Sequence, residues 1–144
     1  PMVALEAAGA GRVTRSSFAE VLRQADFVTL HPDLNPTSRG LMDARAFASM
    51  KRTAILVNAS RGPVVVTSAL VEALESGTIA GCALDVTDPE PLPLGHVLRA
   101  HPRSLVTPHM ATQSRETREQ MSDLAAGNIV EILAGRPART PVPR

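Results

Sequence analysis

Three polar side chains suited to acid–base or anion-binding chemistry follow short apolar runs of this sequence. Arg61 closes the run "AILVNASRG", Glu90 lies in "DVTDPEP", and His109 ends "SLVTPH". Arginine stays protonated at working pH and offers a planar fork of donors that matches a carboxylate. A carboxylate beside an imidazole fixes its orientation and favours its protonated form, which makes a general acid. The three residue types predict a site that binds an anion and transfers a proton.

Each of these residues also has a structural interpretation. Arg61 could pair with a nearby acidic side chain, and His109 could cap a strand. Glu90 could be a solvated carboxylate in a loop that Pro89 and Pro91 restrict. Only the expected emergence of all three at one edge of a sheet favours a functional site.

The elements that must position these residues alternate along the chain, which is typical of βαβ units and a parallel sheet. Strands that are apolar on both faces are predicted at 27–31, 54–60, 81–86 and 104–109. Helices are predicted at 18–24, 43–50, 67–77, 96–103 and about 114–134. Ligands bind at the carboxyl ends of such strands. The polar residues found there are His31, Asn58 to Arg61, Asp85 and His109.

Helix ends are marked by residues with defined capping chemistry. Ser16 or Ser17 is expected to cap the first helix and Thr67 the third. Gly77 is expected to end the third helix in a left-handed conformation, and Gly135 and Pro137 are expected to stop the last one.

The composition argues against a nucleic-acid or membrane protein. Hydrophobic residues make up 44% and charged residues 20% of the 144 positions, and the net charge is only +1. Three Phe, with no Tyr or Trp, leave few platforms on which bases could stack. No stretch approaches the roughly 20 apolar residues of a membrane span. We therefore expect a small-molecule ligand.

The single cysteine, Cys82, excludes an internal disulfide and fits a reducing compartment, so a cytoplasmic location is expected. Its apolar surroundings predict a buried, inert thiol. No Cys and His spacing resembles a zinc site, so a metal is not expected. The first residues do not resemble a signal peptide. Because they open with Pro1, the start is expected to be cut.

Four further sequence features are weaker. "GAGRVT" at 9–14 lacks the third glycine of a dinucleotide fingerprint and follows no predicted strand, so it is rejected as a phosphate-binding loop. His31 could contact a cofactor or be a structural residue, whereas His96 and His101 are expected to be exposed. The tail "GRPARTPVPR" is expected to be extended.

Three stretches of the sequence, in this order and spacing, resemble the D-isomer-specific 2-hydroxyacid dehydrogenases. They are "ADFVTLHPDLNPTSRGLMDARAFASMKRTAILVNASRGPVV", "ALVEALESGTIAGCALDVTDPEPLP" and "VTPHMA". The resemblance runs from about residue 12 to 140 and concerns the later part of the nucleotide-binding domain. "LDVTDPEP" is most similar to the glyoxylate/hydroxypyruvate reductase branch, and phosphoglycerate dehydrogenase-like members are close.

The resemblance implies an α/β, Rossmann-like doubly wound parallel sheet that is incomplete. Residues 1–140 would form a partial NAD(P)-binding domain, and 141–144 a C-terminal tail. The first βαβ unit with its glycine-rich loop and the substrate domain would be absent. One edge of "FVTLH" would then be unpaired, and a chain of this extent is expected to bind dinucleotide poorly.

The resemblance also implies roles for the candidate residues. Arg61 would bind the substrate's carboxylate and carbonyl, His109 would donate or accept the proton, and Glu90 would be its carboxylate partner. Asp85 would accept from the nicotinamide carboxamide. The cofactor, NAD or NADP, would also be lined by Pro32, Ala59, Ser60, Arg61, His109, Met110, Ala111 and Thr112.

The implied reaction is hydride transfer between the nicotinamide and a D-2-hydroxy acid or 2-oxo acid, in a protein that is a homodimer at full length. A truncated, inactive Rossmann module used only for association is the alternative. The sequence leaves open which 2-hydroxy acid is used and which of the two cofactors. One departure from the family's pattern concerns the third helix: Val66 and Thr67 stand where an acidic residue usually opens it.

Overall fold

The computed structural model describes residues 14–141. They fall into two compact units, one ending at Thr107 and the other beginning at Pro108. The strands are β1 (Phe27–Leu30), β2 (Ile55–Asn58), β3 (Gly81–Leu84) and β4 (Ser104–Val106). The helices are α1 (Phe18–Gln24), α2 (Ala44–Ala48), α3 (Thr67–Glu75), α4 (Val97–Ala100) and α5 (Arg115–Leu133). The predicted elements are therefore present: α1 has the predicted bounds and the others are shorter.

The first unit contains a four-stranded parallel sheet in the order β1-β2-β3-β4. Its register aligns Leu30 with Asn58, Asn58 with Leu84, and Leu84 with Val106, so the carboxyl ends of the strands meet at one edge. The α/β class and the parallel sheet predicted from the sequence are confirmed. Among the described residues, β1 has only one strand neighbour, as expected for an unpaired edge.

One face of the sheet packs against helices and forms the core. Leu56 on β2 is fully buried, as are Phe47 on α2 and Leu74 on α3, each with at most 1% of its surface exposed. Burying a side chain of this size contributes about 1.5–3 kcal/mol. This covered face holds the strands, and hence their polar ends, in fixed positions.

The prediction that the strands are buried on both faces is wrong for the edges of the sheet. Burial alternates along β1, where Phe27 is 70% exposed while Val28 is buried. On β4, Leu105 is 61% exposed. The helices that share the core cover one side of the sheet in this unit, so alternate side chains of the edge strands face outward.

The capping predictions are partly confirmed. Ser17, rather than Ser16, caps α1 and accepts a hydrogen bond from the Glu20 N–H at 3.3 Å. Gly77 follows α3 with φ +69°, the left-handed conformation that glycine adopts without strain. The prediction that Thr67 caps α3 is wrong: the N-cap position belongs to Val66, and the Thr67 hydroxyl bonds elsewhere.

The second unit is built around α5, which Ser114 caps and Gly135 ends, with φ +72°. The residues after the helix fold back on its last turns. Asn128 Nδ2 donates to Thr140 Oγ1 at 2.9 Å, and Thr140 N–H donates to Asn128 Oδ1 at 3.2 Å. A Cβ on Gly127 would lie 2.8 Å from the Arg139 guanidinium, so that side chain crosses the helix close to the glycine backbone.

Most of "GAGRVT", the stretch rejected as a phosphate-binding loop, lies outside the described residues. Within residues 14–141, no helix is both long and apolar enough to cross a membrane.

Candidate active site

The loop after β2 is organised by Asn58, which is only 1% exposed. Its Nδ2 donates to the Arg61 carbonyl at 3.1 Å, and its Oδ1 accepts from the Ser60 N–H at 3.0 Å and the Ser60 hydroxyl at 2.8 Å. Its own carbonyl accepts from the Asp85 N–H at 2.9 Å. Asn58 therefore does not face the crevice, as the sequence suggested, but turns the chain that presents Arg61. The Asn-x-Ser spacing, typical of a side-chain turn, was the available signal.

Arg61 is exposed at the end of this loop, and its Nη1 donates to the Ser60 carbonyl at 2.7 Å. A short 3₁₀ turn, Gly62–Val64, follows directly. A Cβ on Gly62 would lie 1.9 Å from the Thr87 carbonyl oxygen, a separation that no real contact allows. Gly62 thus brings the Arg61 loop against the backbone of the segment that carries Glu90.

A cavity of about 210 Å³ opens between the loops after β1 and β2. It is lined by His31, Pro32, Asp33, Leu34, Ala59, Ser60 and Arg61. Pro32, Ala59, Ser60 and Arg61, which the sequence placed in one site, are thus brought together. The ring of His31 is oriented by a 2.8 Å hydrogen bond between its Nε2 and Thr29 Oγ1.

Asp85, directly after β3, has its carboxylate fixed by a neighbouring strand end. Thr107 Oγ1 donates to Asp85 Oδ1 at 2.6 Å, and the Thr107 N–H donates to the Leu84 carbonyl at 2.9 Å. Sequence reasoning did not single out Thr107, because a threonine after a strand has no distinctive pattern. The arrangement gives Asp85 a defined orientation as a hydrogen-bond acceptor.

Glu90 is exposed in the loop after β3, between two cis peptide bonds, Asp88–Pro89 and Glu90–Pro91. The Thr87 N–H donates to Glu90 Oε2 at 3.3 Å. Leu92, which is 4% exposed, anchors the end of the loop in the core.

The second unit carries His109, Met110, Ala111 and Thr112, all exposed. His109 has φ +52°, and it is a non-glycine residue in the left-handed region. Such a conformation costs of order 1 kcal/mol or more and is typical of functional sites. Arg61 and Glu90 belong to the first unit, so the structure describes these groups separately.

The remaining candidate groups have structural roles. Cys82 is buried, and burial raises the pKa of its thiol, although a hydrogen bond to Ser104 acts in the opposite direction. His96 and His101 are half-buried rather than exposed, because each Nδ1 accepts a backbone N–H, from Leu98 and Arg103 respectively. Within residues 14–141, no group of three His, Cys, Asp or Glu side chains could hold a metal ion.

A parallel sheet whose polar strand ends converge on one crevice defines a nucleotide-binding type of α/β domain. Residues 4–111 match the family model of the D-isomer specific 2-hydroxyacid dehydrogenase, NAD binding domain. The chain belongs to this family.

Two curated relatives indicate which part of the family is similar. A glyoxylate reductase from Thermofilum pendens is 43% identical over 115 residues, which cover 80% of this chain and 34% of the relative. A human glyoxylate reductase/hydroxypyruvate reductase is 42% identical over 121 residues, 84% of this chain and 37% of the relative. The chain thus spans about a third of the length of these proteins.

Solved structures agree with this placement. The TT0316 protein from Thermus thermophilus superposes with a TM-score of 0.83 at 47% identity, covering 89% of this chain and 41% of that one. A D-lactate dehydrogenase with NAD+ from Lactobacillus jensenii gives 0.82 at 33% identity, covering 90% and 43%. A family member from Xanthobacter autotrophicus, in complex with NADPH and MES, gives 0.77 at 39% identity, covering 88% and 51%.

Proposed function

We propose that this chain is part of an NAD- or NADP-dependent D-2-hydroxyacid dehydrogenase. The enzyme would transfer a hydride between the nicotinamide and carbon 2 of a 2-oxo acid or D-2-hydroxy acid. The observation that carries the proposal is the exposed Arg61 beside a cavity formed with Pro32, Ala59 and Ser60, in a chain of this family. Glyoxylate and hydroxypyruvate are the substrates to test first, because they are named in the relatives.

The cavity would hold part of a dinucleotide, with an acidic substrate beside it. Pro32, Leu34 and Ala59 supply apolar surface, while Arg61 supplies donors. Asp85, oriented by Thr107, would accept from the carboxamide of the nicotinamide. By resemblance to the family, Met110, Ala111 and Thr112 would also contact the cofactor. The bound nicotinamide supplies or removes the hydride.

Arg61 would hold the substrate. Its guanidinium presents paired donors to the substrate carboxylate and carbonyl, which fixes the carbonyl carbon for hydride attack and polarises its oxygen. The backbone on both sides of Arg61 is held by Asn58 and by the close packing of Gly62. This rigidity places the charge where the developing alkoxide forms.

His109 would move the proton. During reduction of a 2-oxo acid, the hydride adds to the carbonyl carbon while the imidazolium of His109 gives its proton to the carbonyl oxygen. Glu90 would be the carboxylate partner that favours the protonated imidazole. Oxidation of the hydroxy acid reverses both transfers.

The whole enzyme would act on a small 2-oxo or 2-hydroxy acid as a homodimer in the cytoplasm, without nucleic-acid or membrane partners. The net charge of +1 supports the expectation about nucleic acid. The homodimer and the small-molecule substrate are expected from the family resemblance. The cytoplasmic location is expected because this chain has a single cysteine.

The experiment is a hybrid enzyme in which this chain replaces the segment that it matches in the Thermofilum pendens glyoxylate reductase. Oxidation of NADH and NADPH by glyoxylate and hydroxypyruvate is followed by the absorbance of the reduced nicotinamide. We expect turnover with at least one combination of reduced cofactor and oxo acid. Arg61→Lys should lower kcat/KM for the oxo acid by about 10- to 100-fold, since an ammonium cannot make the paired contact.

Arg45→Lys, on the exposed side of α2, is the matched control and should leave the kinetics unchanged. A hybrid that melts cooperatively but reduces neither acid would contradict the proposal. So would equal kinetics for the two arginine variants.

A further inference from the structure

The hydroxyl of Thr67 is not used by the proposed chemistry, yet it makes a long-range contact. Thr67 Oγ1 donates to the Asp88 carbonyl at 2.7 Å, across 21 positions of sequence. Thr67 opens α3, whose Leu70 and Leu74 are 1% and 0% exposed. The donor therefore stands on an element that the hydrophobic core holds in place.

The acceptor lies in the loop that carries Glu90. Within this loop, Thr87 Oγ1 donates to the Pro89 carbonyl at 2.9 Å, and the Thr87 N–H donates to Glu90 Oε2 at 3.3 Å. Both contacts span two or three residues, so they give the loop its internal shape but do not fix its place on the protein. The bond from Thr67 connects this local structure to the helix.

Gly62 approaches the same loop from the Arg61 side. A Cβ on Gly62 would lie 1.9 Å from the Thr87 carbonyl oxygen and 2.9 Å from the Asp88 nitrogen. The loop is thus confined between the backbone after Arg61 and the first residue of α3. The close Gly62 backbone limits approach from one side, and the directional hydrogen bond from Thr67 sets the distance on the other.

We propose that Thr67 is a positioning residue for Glu90: its hydroxyl fixes the 87–90 loop so that the Glu90 carboxylate keeps its bond to the Thr87 N–H and its orientation in the site. The inference rests on the proposed function for the catalytic use of that carboxylate. The geometric part stands on the Thr67 and Thr87 contacts alone.

The first test reads the geometry without any assay of activity. The hybrid enzyme is labelled with ¹⁵N-threonine, and the Thr87 amide resonance is assigned as the one that is lost in Thr87→Ser. The chemical shift of this amide is then followed while the pH falls through the range in which carboxyl groups protonate. Its shift should follow the titration of the bonded carboxylate, and Glu90→Gln should abolish that response. Thr67→Val, which keeps the side-chain shape but not the hydroxyl, should abolish it too.

Thr67→Ser should retain the response, because it restores the donor. Ser68→Ala is the matched control: Ser68 is exposed, and within the described residues its hydroxyl makes no hydrogen bond to this loop. The proposal would be overturned if the Thr87 amide shift still changed with pH in Thr67→Val, or if Glu90→Gln left that change as it is in the wild type.

The second test is the pH dependence of oxo acid reduction. Thr67→Val should move the alkaline limb of the pH–rate profile to lower pH, as Glu90→Gln should also do. It should lower kcat by about 2- to 10-fold, which is the equivalent of one neutral hydrogen bond. The KM for the cofactor should not change. In the double variant, Thr67→Val should add no further shift of the limb, because it acts through Glu90.

The two tests separate the two claims. If Glu90→Gln leaves the alkaline limb unmoved, the proposed catalytic role of Glu90 fails, while the amide titration still decides whether Thr67 positions the carboxylate. If Glu90→Gln moves the limb and Thr67→Val lowers kcat without moving it, Thr67 is merely structural, and the positioning role is overturned.

Discussion

The two compact units of this protein are stabilised in different ways. Every residue of the hydrophobic core cluster lies between Leu22 and Leu98 in the first unit. In the second unit, α5 buries only Gly127 and is held to the following residues by polar contacts of Asn128 and Glu131. Buried apolar area contributes far more free energy than exposed ion pairs. The first unit can therefore hold its site residues rigidly, whereas the second has little packing of its own.

The same contrast applies to the candidate catalytic residues. Arg61 stands on a loop fixed by a buried amide and a close backbone contact. His109 lies in the second unit, which contributes no residue to the hydrophobic core cluster, and its backbone is in a left-handed conformation. Substitution of Arg61 should therefore act through its side chain alone, while substitution of His109 also changes the backbone energy.

The largest effect is expected for His109 in the hybrid enzyme. His109→Ala should lower turnover by about 10²- to 10⁴-fold, the usual cost of losing a general acid, with little change in cofactor affinity. His109→Gly relieves the left-handed backbone and should be equally inactive if the imidazole matters. His101→Ala is the control for loss of a histidine. If steady-state kinetics gave a higher turnover for His109→Gly than for His109→Ala, the backbone conformation at this position, and not the imidazole ring, would determine activity.

A pair of leucine substitutions tests the contrast between the units directly. Leu56→Ala removes a fully buried side chain of the first unit and should lower the free energy of unfolding by about 2–5 kcal/mol. Leu133→Ala removes a side chain that is 82% exposed on α5 and should change it by less than about 0.5 kcal/mol. Urea unfolding of the 144-residue chain measures both. A large loss for Leu133→Ala would mean that α5 is buried by association between copies.

A smaller effect is expected for a pair of glycines. Gly62→Ala would place a Cβ against the Thr87 backbone and should cost about 1–3 kcal/mol as the two loops move apart. Gly95→Ala meets nothing within 4 Å and should leave stability almost unchanged. Thermal melts compare the two variants. Equal melting temperatures would mean that the Arg61 and Glu90 loops are not packed as described.

The smallest effect is expected at the end of α5. The hydrogen bond from Arg136 lowers the pKa of Glu131, and the charge of Arg139 acts in the same direction, against the opposing effect of desolvation. A lowered pKa in the folded state means that the contact stabilises the folded form above the ordinary carboxyl range. That contribution is lost as the pH falls through the lowered value.

Amide shifts of residues 136–140 should therefore change in acid, together with the Glu131 carboxyl resonance. Glu119→Gln, on the same helix, is the control. Identical acid responses in Glu131→Gln and wild type would show that this carboxylate does not hold the segment.

The sequence by itself determined the order and type of the elements. Apolar runs alternating with helical patterns gave the parallel strands, and Gly77 and Gly135 marked helix ends, because periodicity and backbone freedom are local properties. The grouping of Pro32, Ala59, Ser60 and Arg61 came from the resemblance of these stretches to the family, and all four residues line one cavity.

The tertiary structure alone decided which partners the polar groups find. Asn58 turned inward to organise its loop, and Thr67 bonded the Asp88 carbonyl instead of capping its own helix. The exposure of Phe27 was likewise set by which face of the sheet the helices cover. A side chain's partner depends on residues many positions away, and a pattern read along the chain carries no information about that distance in space.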